Sequence, residues 1–297
     1  MTAGDDTPVA SIVIPTRGRP AYLDVALATV VPQAAAAGAE VLVVNDGADP
    51  ATDAASARHG SVRVVSLQSP RGVNGARNAG IRAARADLIV LLDDDVQVPP
   101  GWLDAMLDGA RAGTGYDVLG GPIRGRLEGP PIRSCGREPP PVSTYDFGAD
   151  DRDVPYIFGG NTAFRRSAFE RLGHFDESLS GSGDEEEWMR RYTASGGRIR
   201  YLAAAGLDHR RAPADATLAA LARAAYRRGR EARRHDARVD RSRSIGADAR
   251  ILAGCAWHTV RRRCAYGIVM GARALGSLHE GLIERARSIP GRPRVMQ

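Results

Sequence analysis

Three carboxylates stand side by side at Asp93, Asp94 and Asp95, directly after the apolar run Leu88-Ile89-Val90-Leu91-Leu92. Adjacent carboxylates repel one another in a low dielectric, and a bound divalent cation relieves that repulsion. Mg2+ and Mn2+ prefer oxygen ligands and commonly bridge one or two carboxylates to substrate phosphates. Side chains alternate along extended backbone, so Asp93 and Asp95 share a face while Asp94 points away. One of the outer pair can then hold a metal and the other a ribose hydroxyl. The plain alternative is a solvated acidic turn. A position at the end of a buried strand favours the site, because unpaired charge is expensive there.

A second acidic cluster, Asp184-Glu185-Glu186-Glu187, precedes Trp188-Met189-Arg190-Arg191. On a helix, Glu185, Trp188 and Tyr192 share a face, and Glu187 can pair with Arg191. A carboxylate beside aromatic groups can have a raised pKa and serve as a general base. Ser182-x-x-Glu185 is equally a capping box, and acids at a helix start are stabilised by the dipole. Pattern alone leaves both readings open. Gly72, Gly75 and Gly80 do not form G-x-G-x-x-G, and G-x-x-x-x-G-K-[ST] is absent. A dinucleotide dehydrogenase or P-loop enzyme is therefore disfavoured. Cys135, Cys255 and Cys264 are widely spaced with no C-x-x-C pair. This argues against a zinc ribbon, a thioredoxin-type site or a disulfide scaffold, and reads as buried or idle thiols.

The elements that must position the first cluster read as alternating strands and helices. Short apolar runs at 11–14, 41–44, 62–67 and 88–92 predict strands. Helical patterns fall at about 20–33, 49–58, 74–85 and 102–112. Such alternation predicts an α/β domain whose mostly parallel sheet has helices on both faces. Ligands of open α/β sheets sit outside the carboxyl ends of the strands. Those ends are followed here by Pro15-Thr16-Arg17, Asn45-Asp46-Gly47 and the three aspartates. Residues 122–155, with Pro130-Pro131 and Pro139-Pro140-Pro141, predict a long irregular loop of the kind that often forms a functional lid. Order returns at 156–158 and 161–164, a helix at about 184–194 and a strand at 199–202. From about Asp215 onward the pattern is helical and Arg-rich.

The chain has 297 residues, enough for a substantial core without disulfides. All 41 basic residues are Arg. Residues 1–209 carry 21 Arg against 28 acids, a balance of −7, whereas Arg210 onward carries 20 Arg against 7 acids, a balance of +13. Such asymmetry suggests two regions with different partners. Neither a secretory signal nor a run of about 20 apolar residues is evident. The expected location is cytoplasmic.

Five segments in order carry a resemblance to a known family: SIVIPTRGR (11–19), VLVVNDGAD (41–49), GVNGARNAGIRAARADLIVLLDDDVQVPPGWL (72–103), GGNTAFRRSAFERLGHFDESL (159–179) and GDEEEWMRRYTASGGRIRYL (183–202). The chain resembles family-2 glycosyltransferases of the GT-A fold over about Ser11 to His209. The resemblance implies a catalytic domain at 1–210, with a nucleotide-sugar half at about 9–120 and an acceptor half at about 120–210. An Arg-rich helical appendage then occupies 211–297. It implies inverting, metal-dependent transfer from a nucleotide-diphosphate sugar to a glycan, lipid-linked or small-molecule acceptor. Pro15, Thr16, Arg17, Asp46, Arg77, Asp93 and Asp94 would serve the nucleotide. Asp93 and Asp95 match the outer positions of the D-x-D motif, and with His209 would hold Mg2+ or Mn2+. Gly159, Gly160 and Asn161 would line the donor and acceptor pocket, with Trp188 beside them. Asp184-Glu185 stands where the family has Glu-Asp, which implies Glu185 as the base; inversion of the pair leaves Asp184 or Glu186 as alternatives. Asn45 stands where Asp is usual, Ala48 where Ser is usual, and Pro70 replaces a common Asn.

Two readings compete with the enzyme: an idle sugar-nucleotide or glycan-binding module on the same fold, and a sugar nucleotidyltransferase. The latter wants a Gly-rich basic loop after the first strand, and Thr16-Arg17-Gly18-Arg19 is a poor version of one. In the tail, Arg227-Arg228, Arg230, Arg233-Arg234 and Arg261-Arg262-Arg263 alternate with Leu252, Trp257, Tyr266, Ile268, Val269 and Met270. A basic amphipathic helix can lie on an anionic membrane, here the inner face of the cell membrane. A solvated face packed on the catalytic domain accounts for the pattern equally. Nucleic acid is disfavoured, because no recognised nucleic-acid-binding motif accompanies the clusters.

Overall fold

The computed structural model describes residues 7–111, 113–137, 141–179, 184–238, 241 and 243–287. Along the chain run β1 (Ser11–Thr16), α1 (Pro20–Ala37), β2 (Glu40–Asp46), α2 (Pro50–Ala57), β3 (Val62–Leu67), α3 (Gly72–Ala83) and β4 (Leu88–Leu92). There follow β5 (Val96–Gln97), α4 (Trp102–Gly109), β6 (Val118–Gly120), β7 (Ile123–Leu127), β8 (Arg152–Val154), β9 (Asn161–Arg165), α5 (Arg166–Leu172) and α6 (Asp184–Ala194). The last elements are β10 (Ile199–Tyr201), β11 (Leu207–Arg211), α7 (Leu218–Arg238), α8 (Ile245–Arg262) and α9 (Tyr266–Arg287). Among the described residues, those up to Arg126, from Ser143 to 179 and from 184 to Arg210 form a first compact unit. Those from Leu127 to Val142 and from Arg211 onward form a second.

The first unit is built on an eight-stranded sheet of order β3-β2-β1-β4-β9-β6-β10-β8. β1 pairs in parallel with β2 and β4, and β2 with β3. β9 runs antiparallel between β4 and β6. The order steps outward from β1 to β3 and then returns to the other side of β1 at β4. Right-handed crossovers therefore put α1 and α2 on one face and α3 on the other. The reversal lies between β1 and β4, which is where an open α/β sheet leaves a crevice at its carboxyl edge. β1 and β4 are buried along their whole length, as continuous apolar strands covered on both faces should be. Local chemistry sets the element ends. Pro20 starts α1, left-handed Gly38 closes it, and the Asp49 side chain caps α2 by accepting from Ala51 and Thr52 N–H.

Among the described residues, 128–151 is irregular as its prolines predict, apart from a bridge from Tyr145 to Ile123, but the two ends of the stretch 122–155 form strands. β7 lies in a small sheet of order β5-β11-β7, and β8 pairs antiparallel with β10. Both strands are short and hydrophilic, so they carry little of the apolar alternation from which strands are read. Pro139 and Pro140 lie outside the described residues.

In the second unit α9 packs against both α7 and α8, and a small apolar cluster of Leu221, Ala225 and Val269 joins α7 to α9. Much of its Arg content is paired internally. Arg233 is buried and donates to Asp248 at 3.1 Å and Glu284 at 2.9 Å, while Arg230 and Arg234 both bind Glu280. Among the described residues no helix is long and apolar enough to cross a membrane.

Candidate active site

β4 carries the chain to Asp93 at the crevice, and the three aspartates then part company. Asp94 is fully buried. Its Oδ2 accepts from Thr16 Oγ1 at 2.6 Å and Arg19 Nε at 3.1 Å, and a second Arg19 nitrogen binds Oδ1. Burial pushes the Asp94 carboxyl up to about 7; Asp95 and Asp93 add to the rise, while Arg19 and the Thr16 hydroxyl pull against it. Burial alone would lower the Arg19 guanidinium, but Asp94, Asp95 and Asp93 hold it above its usual value.

Asp95 turns the other way. Its Oδ2 accepts from Arg19 at 3.0 Å, and its Oδ1 lies 3.1 Å from His209 Nε2. His209 is delivered by β11, whose pairing sets His209 opposite Val96, one residue past Asp95. The main-chain N–H of Arg210 closes the corner on Asp95 O at 2.8 Å. His209 is buried, and its Nδ1 has no hydrogen-bond partner.

Asp93 keeps 27% of its side chain open, more than either neighbour, and faces Arg77 at 3.6 Å. Burial raises its pKa; Arg77 and His209 pull it down, and Asp95 and Glu185 push it further up. Arg77, on α3, also reaches Glu185 Oε2 at 3.7 Å. Glu185 Oε1 accepts from the Gly159 N–H at 3.3 Å. These contacts require the glycine pair before β9. A Cβ on Gly160 would meet Asp93 Oδ2 at 2.2 Å, and one on Gly159 would crowd Arg77 and Glu185 at 3.0 and 3.2 Å. A carboxylate from β4, a guanidinium from α3 and a carboxylate from α6 thus meet over two residues without side chains.

The remaining expected residues are distributed as follows. Pro15 is buried at the end of β1, and Arg17 is exposed beside it. Asp46 ends β2 buried, its two oxygens accepting from the Arg71 and Gly72 N–H groups at 2.7 and 3.1 Å. It therefore fixes the loop that opens α3. Within the second acidic cluster, Glu186 is exposed and Glu187 pairs with Arg191 at 2.8 Å, so Glu185 is the described carboxylate that faces Arg77. The Asp184 side chain and Ser182 lie outside the described residues. Asn161 and Trp188 do not come to the cleft. The Asn161 amide accepts from Trp102 Nε1 at 2.9 Å and donates to Pro122 O and Ala205 O, fully buried. Trp188 is also fully buried, against Phe164, Phe169, Phe175 and Tyr192, with Nε1 donating to Gly173 O at 2.8 Å. Arg19 was not among the expected residues. The signal for it was present in Arg17-Gly18-Arg19, where Gly18 takes φ 61° and turns the chain back toward the aspartates.

Asp93, Asp95 and His209 are ligand types that a hard divalent cation takes, but among the described residues they are not drawn together as one ligand group, and Asp95 binds Arg19 and His209. The Asp95 carboxylate, the His209 imidazole and the most open of the three carboxylates, Asp93, are oxygen and nitrogen ligands. Their crowding and burial are the condition that positive charge relieves.

The profile described as Glycosyl transferase family 2 matches residues 11–173. The glucosyl-dolichyl phosphate glucuronosyltransferase of Haloferax volcanii is 22% identical over 192 residues, covering 58% of this chain and 59% of that protein. The validoxylamine A glucosyltransferase of Streptomyces hygroscopicus subsp. jinggangensis is 31% identical over 215 residues, covering 62% and 51%. The chain thus spans between about half and three-fifths of the length of these relatives. A mannosyltransferase of Pyrobaculum calidifontis, solved with GDP-Man and Mn2+, matches with a TM-score of 0.62 over 94% of this chain and 88% of that one, at 16% identity. The fold is accordingly GT-A.

Proposed function

The chain belongs to glycosyl transferase family 2, and from that premise we propose that it moves a sugar from a nucleotide-diphosphate sugar to an acceptor hydroxyl with inversion at the anomeric carbon. The observation that carries this reading is the meeting of Asp93, Arg77 and Glu185 at the crevice between β1 and β4. The donor nucleotide lies over the ends of β1 and β2, beside Pro15, Thr16, Arg17 and Asp46. Arg77 and Asp93 complete that side; Asp94, fully buried against Thr16 and Arg19, supports the loop and does not reach the donor as the sequence suggested. Residues to about 120 serve the donor, and those from about 120 to 210 serve the acceptor.

Glu185 removes the proton of the acceptor hydroxyl. The freed oxygen bonds to the anomeric carbon as the bond from that carbon to the diphosphate oxygen breaks, and the nucleoside diphosphate departs with the electron pair. Arg77 holds Glu185 and Asp93 in register, and the Gly159 N–H orients the base. Gly159 and Gly160 let Asp93, Arg77 and Glu185 close onto the main chain where a Cβ would displace them. Mg2+ or Mn2+, held by Asp95, Asp93 and His209, would supply positive charge for the departing diphosphate. The relative solved with GDP-Man and Mn2+ supports that cofactor class. An acceptor carried on lipid is favoured among the acceptor classes by the exposed Trp257 and Val260 beside Arg261-Arg262-Arg263.

The test is Glu185→Gln. Transfer should fall by about 100-fold or more, the contribution of a positioned base. Stabilisation of the chain by nucleotide sugar with Mn2+ in a thermal-shift assay should stay near wild type. Transfer at the wild-type rate would remove Glu185 as the base.

A further inference from the structure

Outside the acidic crevice, the second unit gathers three side chains that the sequence scatters. Cys135, His258 and Cys264 each offer a ligand atom, and these atoms all lie within 4.8 Å of one another. Two of the three cysteines that the sequence spaces widely thus meet in the fold; Cys255 is not part of the group. Cys135 comes from the segment 127–142, His258 from the last turns of α8, and Cys264 from the corner between α8 and α9. That corner is made by Arg263 in the left-handed conformation, φ 48°. The two segments are stitched together by the main chain, Ala265 N–H donating to Arg133 O at 2.9 Å.

From this geometry we propose that Cys135, His258 and Cys264 form a binding site for a thiophilic divalent cation of the zinc class. Three features carry it. The spacing is that of ligands around one ion. In a tetrahedral zinc site, with Zn–S about 2.3 Å and Zn–N about 2.1 Å, sulfur and nitrogen ligands stand roughly 3.6 Å apart. Cys135 Sγ lies 3.5 Å from His258 Nε2. The donor types are soft, so the site selects against the oxygen-seeking cations suited to Asp93 and Asp95. Cys264 Sγ is also fully buried and accepts the Cys135 N–H at 3.4 Å, an arrangement that suits a thiolate ligand. Three protein ligands leave a fourth position for water, reachable because Cys135 and His258 are only partly buried. The ion would bind residues 129 apart in sequence and so close a long loop of the unfolded chain.

The test uses the full chain, purified without a polyhistidine tag and loaded with Co2+ in place of Zn2+. Cobalt held by sulfur gives a near-ultraviolet charge-transfer band that oxygen ligation at the aspartates does not. The expected result is about one equivalent of bound ion with that band, lost in Cys135→Ser and in His258→Ala. Cys135 is partly exposed, so its replacement leaves the fold intact, checked by unchanged far-ultraviolet dichroism. The proposal is overturned by a wild-type chain with no band and freely titrating thiols. A chain lighter by two hydrogens, with Cys135 and Cys264 oxidised to a disulfide and no metal bound, overturns it too, as does a band that persists in Cys135→Ser.

Discussion

Arg19 serves two buried or nearly buried carboxylates at once, so its removal and its over-compensation have different signatures. Arg19→Met takes away the cation that pulls the Asp94 carboxyl down, so a fully buried acid beside Thr16 must either take up a proton or stay charged without its counter-ion. Loss of one partner from such a pair is costly because the other charge stays behind. The Arg19 side chain is 44% exposed, so solvent screening reduces the cost to about 1–3 kcal/mol. Adding Asp94→Asn removes the stranded charge and should restore most of that stability in urea denaturation. Additive losses in the double variant would show that the two residues act independently. Gly160→Ala is a different kind of change. Its new methyl collides with Asp93 rather than with solvent. Overpacking of this sort costs about 1–3 kcal/mol, and here the displaced group is a carboxylate of the crevice. Mn2+-dependent stabilisation should weaken, and transfer should fall more than the melting temperature alone accounts for. Unaltered Mn2+ titration in Gly160→Ala would place the cation away from Asp93.

At the scale of elements, what could be read from the sequence follows the strength of its apolar periodicity. β1, β2, β3 and β4 announce themselves as apolar runs, and with them the ends that carry Thr16, Asp46 and Asp93. β11 does not, because Leu207-Asp208-His209-Arg210-Arg211 has one apolar residue in five. It is a strand by virtue of pairing with β5 and β7, which no local pattern reveals. Trp188 and Asn161 were legible as special but not as to direction. A large apolar ring goes to the core when the core is adjacent, and an amide goes where carbonyls remain unpaired. The group of Cys135, His258 and Cys264 was invisible for the same reason as β11: its members meet only in three dimensions. Glu40, at the start of β2, illustrates how one residue can hold several elements. It accepts from Ser11 Oγ at 2.6 Å, Arg85 N–H at 2.6 Å, Arg85 Nε at 3.0 Å and Arg63 at 3.1 Å. Burial pushes its carboxyl up, but those hydrogen bonds outweigh it and hold the pKa below the ordinary 4.5. The stabilisation is thus present above about 4.5 and is lost as pH falls through the lower folded value. Glu40→Gln should cost about 1–2 kcal/mol near neutrality, and the gap to wild type should narrow in melts taken at acid pH. A gap that is constant with pH would mean that packing, not charge, sets its contribution.

Across the whole molecule, charge is divided as the sequence divides it, but the folded chain spends part of the basic surplus internally. Arg230, Arg233 and Arg234 are engaged with Glu280, Asp248 and Glu284, so they are poorly placed to bind an outside anion. Arg261, Arg262 and Arg263 are exposed at the end of α8. Next to them Trp257 is 68% and Val260 76% exposed, a placement that water alone does not favour. Apolar side chains beside free guanidinium groups are the two ingredients of binding to an anionic lipid surface. The full chain should float with vesicles containing anionic lipid and remain behind with zwitterionic ones. Flotation should weaken in about 0.5 M NaCl, where screening acts within a few ångströms. Trp257→Ala with Val260→Ser should lower the partition by about tenfold, corresponding to roughly 1.4 kcal/mol of lost apolar insertion. These residues lie outside the crevice, so transfer to a soluble acceptor should be unchanged in that variant. Flotation that ignores both lipid charge and the double substitution would assign the exposed face of α8 to something other than a membrane, and would remove the argument for a lipid-borne acceptor while leaving the crevice chemistry untouched.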